Sequence, residues 1–118
     1  MSKTKDGRAL DALFATIARR RKADPKTSYT AKLLAGGPGK IGDKVIEEAA
    51  EVAHAGLKEA RPRVVSESAD VLYHLLVLWA ARGVKPPIVW AELARREGTS
   101  GIAEKKARRQ KKNPARKK

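Results

Sequence analysis

VVSESADVLYHLLVLWAA, Val64 to Ala81, is the stretch on which the reading of this chain turns. From Ala69 to Ala81 it is apolar nearly all the way round a helix, which predicts burial on several sides. Pro62 is well placed to open it, because a missing N–H costs little in the first turn, and Gly83 to close it after Arg82. Set into this apolar helix, Glu67, Asp70 and His74 share one face at spacings of three and four.

Working back toward the N-terminus, a helix is expected from Pro38 to about Glu59. Ile41, Val45, Ala49, Val52 and Gly56 form one stripe on it, and Ile46, Ala50, Ala53 and Leu57 a second stripe alongside. Lys44, Glu47, Glu48, Glu51 and Lys58 occupy the remaining flank, with Glu48 at the edge of the apolar arc. A short helix precedes it, capped by Ser28 or Thr30, running through Leu34 and stopped by Gly36 and Gly37. Leu10, Leu13, Phe14 and Ile17 predict an amphipathic first helix over Arg8 to Lys22, ending before Pro25. Toward the C-terminus, Pro86-Pro87 opens a helix that should carry Ile88, Val89 and Leu93 inward and stop at Gly98; Ser100 then caps a final short helix. With short loops throughout, the fold class is all-α, an antiparallel bundle of about five helices. A chain this small cannot cover both the wide arc and the all-round apolar helix, so a homodimer is expected to complete the core.

Composition supports that frame and excludes several chemistries. The chain has 118 residues and no cysteine, so there is no disulfide framework, thiolate zinc site or cysteine nucleophile. The longest apolar stretch, Val71 to Ala81, is shorter than a membrane span, and MSKTKDGRAL has no apolar signal core. A soluble, cytoplasmic protein with no membrane partner is expected. The formal net charge of +14 is unevenly placed: nine Lys or Arg fall between Lys105 and Lys118, leaving 18 basic and 13 acidic residues before them. Residues 1–104 are therefore read as the helical domain and 105–118 as a basic tail whose end stays disordered. Such a tail adsorbs nucleic acid weakly and in a salt-sensitive way, without base reading.

The short turn near Glu59 makes the two acidic helices antiparallel neighbours, so counting outward from it places Glu51 level with Glu67, and Glu48 level with Asp70 one turn further on. Four converging carboxylates repel unless a cation joins them. Oxygen-only ligation selects Mg²⁺, with Mn²⁺ as the substitute, and such ions also take phosphate oxygens. A surface salt-bridge cluster with Lys44 would equally explain the Glu47, Glu48, Glu51 element taken alone. It does not explain Glu67 and Asp70 inside an apolar helix. His74, four residues after Asp70, is expected to hydrogen-bond it from behind the ligands.

E-E-x-x-E (Glu47 to Glu51) and E-x-x-D (Glu67 to Asp70) resemble the metal site of the MazG-like all-α nucleoside triphosphate pyrophosphatases. SYTAKLL (Ser28 to Leu34), KVIEEAAEV (Lys44 to Val52), ESADVLYHLLVL (Glu67 to Leu78), ELARREG (Glu92 to Gly98) and SGIAEK (Ser100 to Lys105) narrow the resemblance to the phosphoribosyl-ATP pyrophosphatase family of histidine biosynthesis. The resemblance implies Mg²⁺-assisted hydrolysis of phosphoribosyl-ATP to phosphoribosyl-AMP and pyrophosphate. It implies Glu48, Glu51, Glu67 and Asp70 as metal ligands, with Glu47 orienting or deprotonating the attacking water. Lys44, Lys105, Arg95, Arg96, Ser28 and Thr30 become candidates for contacts to substrate phosphates. Two other readings stay open: a housecleaning pyrophosphatase acting on non-standard triphosphates, and a non-enzymatic helical module that binds nucleic acid through its basic tail.

Overall fold

The computed structural model describes residues 5–98 and 101–112. All regular structure among them is helical: α1 (Arg8–Arg19), a 3-10 turn (Arg20–Lys22), α2 (Tyr29–Lys58), α3 (Arg61–Arg82), α4 (Pro86–Arg96) and α5 (Gly101–Lys112). Packing divides the chain after Pro86, and the two parts are described separately.

In the first part, α2 and α3 form an antiparallel pair across the turn at Glu59 and Ala60, and α1 packs on α3. Ser28 caps α2, its hydroxyl accepting the Ala31 N–H at 3.1 Å. The two helices expected on either side of Gly36 and Gly37 are the arms of α2, broken where Gly37 adopts φ 85° and ψ 170°. That conformation is open essentially to glycine alone, and Pro38 then starts the second arm. Pro62 sits in the first turn of α3, and Gly83 ends it in the left-handed region at φ 71° while Val84 N–H returns to Trp79 C=O at 2.9 Å.

Ile17 of α1, Leu33 and Ile41 of α2, and Leu76, Val77 and Ala80 of α3 form the core. Arg21 reaches across to donate to the Ala80 carbonyl at 2.5 Å, tying the end of the first helical segment to the last turn of α3. The two stripes expected on α2 fare differently: in the first Ile41 is buried and Val45 and Val52 are half-buried, though Ala49 and Gly56 are exposed, whereas the second is exposed throughout, Ile46 at 70% and Leu57 at 83%. On α3, Val65 is 70% exposed and Leu72 is also exposed, so the all-round burial expected of that helix is not reached within one copy. By length and mean hydropathy α3 could cross a bilayer, but it carries Glu67 and Asp70 within its length, and Leu76, Val77 and Ala80 join the core with α1 and α2.

In the second part, Glu104 is buried on α5 and accepts from Arg95 of α4 at 2.5 Å, with Arg96 and Arg108 each at 3.6 Å. Glu92 is clamped by Arg95 and Arg96 at 2.7 and 2.9 Å, and hydrogen bonds from these guanidiniums hold its carboxyl down at about 2. Ile88 and Leu93, expected to point inward, are exposed instead. Their periodicity correctly marks an apolar face, but no described residue covers it. The expected cap Ser100 lies outside the described residues, and the helix it was to open extends through Lys112, well into the basic segment.

Candidate metal centre

Glu48 comes from the second arm of α2 and Glu67 and Asp70 from α3, and one oxygen of each lies within 4.8 Å of the other two. Antiparallel pairing across a short turn is what brings them together, and the three- and four-residue spacings keep them on facing sides. Glu48 and Glu67 are buried and Asp70 is exposed, so the group opens on one side to solvent.

Each buried carboxylate has one anchored and one idle oxygen. Arg63 donates to Glu67 Oε1 at 2.9 Å, and Lys44 Nζ lies 3.9 Å from Glu48 Oε1. Glu48 Oε2 and Glu67 Oε2 are buried with no hydrogen-bond partner. A buried, unpaired carboxylate oxygen is costly, and two beside a third carboxylate are more so. A hard divalent cation satisfies all three at once, and the donor set, oxygen throughout, is the one Mg²⁺ and Mn²⁺ prefer.

Glu51 stands outside that close trio but touches it. A hydrogen bond with Glu48, reinforced by the negative charge of that neighbour, raises the Glu51 carboxyl above its ordinary value. Glu51 also shares with Glu67 a cavity of about 290 Å³ lined by His54, Glu59 and Arg63, in keeping with the level expected for the two. Glu47 is turned to solvent and paired with Lys44 at 2.9 Å; that contact holds the Lys44 ammonium above its usual range.

His74 does bond to Asp70, though through the backbone. Its Nδ1–H donates to the Asp70 carbonyl at 2.8 Å, because that carbonyl one turn back is the nearest acceptor. Its Nε2 shares a hydrogen bond with the Tyr29 hydroxyl at 3.0 Å. The buried ring thus fastens the start of α2 to the turn of α3 that carries Asp70. Thr30 and Tyr73 form a second hydroxyl link between the same helices. Burial raises the Tyr73 phenol, keeping it protonated.

Among the substrate-contact candidates, Ser28 is occupied as a cap and Thr30 by Tyr73, while Lys44 borders the carboxylates. Arg95 and Arg96 are engaged with Glu92 and Glu104, and Lys105 is exposed on α5. Arg63 was not singled out by the sequence reading. The available signal was a cation four residues after Glu59 and four before Glu67, the spacing at which one guanidinium reaches both.

A family model described as phosphoribosyl-ATP pyrophosphohydrolase matches residues 10–97. A phosphoribosyl-ATP pyrophosphatase of Rhodospirillum rubrum is 65% identical over 100 residues, covering 85% of this chain and 86% of the relative. Relatives of the same name from Paramagnetospirillum magneticum and Azospirillum brasilense are 58% identical over 106 residues and 56% over 100. These alignments cover 90% and 85% of this chain, and 97% and 90% of the respective relatives. With its all-helical fold, its carboxylates converging from α2 and α3, and a match spanning both helices, the chain belongs to the phosphoribosyl-ATP pyrophosphohydrolase family.

Proposed function

We propose that this chain hydrolyses the α–β phosphoanhydride of phosphoribosyl-ATP, yielding phosphoribosyl-AMP and pyrophosphate, the second step of histidine biosynthesis. The observation that carries the reading is the pair of buried, unpaired oxygens on Glu48 and Glu67, in carboxylates that converge with Asp70 in a member of this family.

Glu48, Glu67 and Asp70 would hold Mg²⁺, with Glu51, beside Glu48, as a fourth ligand. When bound, the cation offsets the polyphosphate charge, which is how an acidic site accepts an anionic substrate, and makes water easier to deprotonate. Arg63 fixes Glu67 through Oε1 and leaves its second oxygen unpaired, and His74 fixes the turn bearing Asp70. Glu47, steered by Lys44, takes the proton of the attacking water; the new P–O bond forms as the anhydride bond breaks and pyrophosphate departs. Lys44, at the border of the carboxylate group, contacts a substrate phosphate. A phosphorylated nucleotide does not cross membranes freely, so the reading places the chain in the cytoplasm.

The test is pyrophosphate release from phosphoribosyl-ATP beside a panel of free nucleoside triphosphates. The expected result is a kcat/KM for phosphoribosyl-ATP at least about a hundredfold above that for any free triphosphate. Preference for a free triphosphate would make the chain a housecleaning enzyme. Absence of turnover on every substrate, together with salt-sensitive RNA binding that vanishes when residues after Arg109 are removed, would favour the nucleic-acid module.

The exposed apolar residues of α2 and α3 are assigned to a homodimer. Ile46, Leu57, Val65 and Leu72 are large, lie on the paired helices and gain roughly 1.5–3 kcal/mol each when fully buried. Light scattering should return twice the chain mass for the parent and a single chain mass for the doubly substituted Ile46→Glu, Val65→Glu. A dimer unaffected by both substitutions would place the interface elsewhere.

A further inference from the structure

The break at Gly37 also shapes a second cavity, on the side of α2 next to the carboxylates. Lys40, just past the break, lays its stem over Gly36: a Cβ at residue 36 would stand 3.3 Å from Lys40 Cδ. The space so formed, about 450 Å³, is lined by Tyr29, Lys32, Gly36, Lys40, Asp43 and Lys44 among others. Three lysines face it against one aspartate. Lys44 is already directed to Glu47 and Glu48, so the cavity and the metal centre share a border. Lys32 and Lys40 have no ion-pair partner among the described residues, which leaves two ammonium groups available beside an apolar wall.

Two unpaired ammonium groups match a phosphate monoester dianion, and the volume suits a sugar phosphate. Resting on the activity proposed above, the substrate carries one such group away from its triphosphate: the phosphate of the added ribose, which a free nucleoside triphosphate lacks. We propose that the cavity at the break of α2 receives this ribose phosphate, and that Lys32 and Lys40 are the residues that distinguish phosphoribosyl-ATP from a free nucleoside triphosphate. The triphosphate end then extends past Lys44 toward Glu48, Glu67 and Asp70, with Lys44 between the two anionic ends.

Calorimetric titration with phosphoribosyl-AMP and with AMP tests this without requiring turnover. The parent chain should bind phosphoribosyl-AMP at least about tenfold more tightly than AMP. Substituting both Lys32→Ala and Lys40→Ala should weaken phosphoribosyl-AMP about a hundredfold, roughly tenfold per lysine, and leave AMP affinity where it was. Lys40→Arg should retain most of the preference. Both lysines are exposed, so the variants are expected to fold, which circular dichroism checks. Equal losses for the two ligands, undiminished phosphoribosyl-AMP binding in the double variant, or a parent that does not distinguish the ligands would each overturn the assignment. Failure of the parent to hydrolyse phosphoribosyl-ATP would instead overturn the activity on which it rests.

Discussion

Replacing Glu48 by Gln is expected to abolish turnover and, at the same time, to make the metal-free protein more stable. The amide keeps the shape of the side chain but removes a negative charge from a buried group of three, and so kcat on phosphoribosyl-ATP should fall about a thousandfold. Stability should move the other way. The amide N–H₂ can donate to the idle Glu67 oxygen and to Asp70, replacing a repulsive contact with hydrogen bonds. A gain of about 1 kcal/mol corresponds to a Tm about 5 °C higher for a domain of this size, measured with EDTA present. Asp70→Asn should lose activity to a similar extent with less change in Tm, because Asp70 is exposed. A site that merely belonged to a surface salt-bridge cluster would show neither the opposed signs nor the difference between the two positions.

The second large effect is expected at Gly37. Its φ of 85° with ψ of 170° lies where a side chain is strained whatever the space, and no atom stands within 4 Å of the position a Cβ would take. The cost of Gly37→Ala is therefore conformational, about 2 kcal/mol, or a Tm roughly 10 °C lower. Relief of that strain moves the arm carrying Tyr29 and Lys32 relative to the arm carrying Lys44 and Glu48. Activity should fall more than tenfold at temperatures where the variant is still folded. Gly39→Ala, two residues on with helical backbone and open space around it, is the control and should be no less stable than the parent.

The helix ends were legible because they rest on local chemistry: the Ser28 hydroxyl on the Ala31 N–H, Pro62 in a first turn and Gly83 at positive φ. The carboxylate group was legible for a related reason. A short turn fixes the register of an antiparallel pair, so counting from Glu59 suffices to bring Glu48, Glu67 and Asp70 to one place. Spacing could not say which atom a side chain would choose. His74 lies one turn from both the carboxylate and the carbonyl of Asp70, and only the folded backbone shows that the carbonyl is the partner. Arg63 went unnoticed because, on a helix flank, a cation between two acids looks like ordinary surface pairing until Glu67 is seen to be buried. The inward face assigned to Ile88 and Leu93 fails for a different reason: periodicity identifies an apolar face, not what covers it.

Direct titration with Mn²⁺, followed by the paramagnetic signal of the free ion, tests whether Glu48, Glu67 and Asp70 act as one cation site. The parent should take up Mn²⁺, Mg²⁺ should displace it, and Glu48→Gln, Glu67→Gln and Asp70→Asn should each weaken uptake by at least about tenfold while the proteins stay folded. Equal Mn²⁺ affinity in the parent and all three variants would contradict the metal-site assignment.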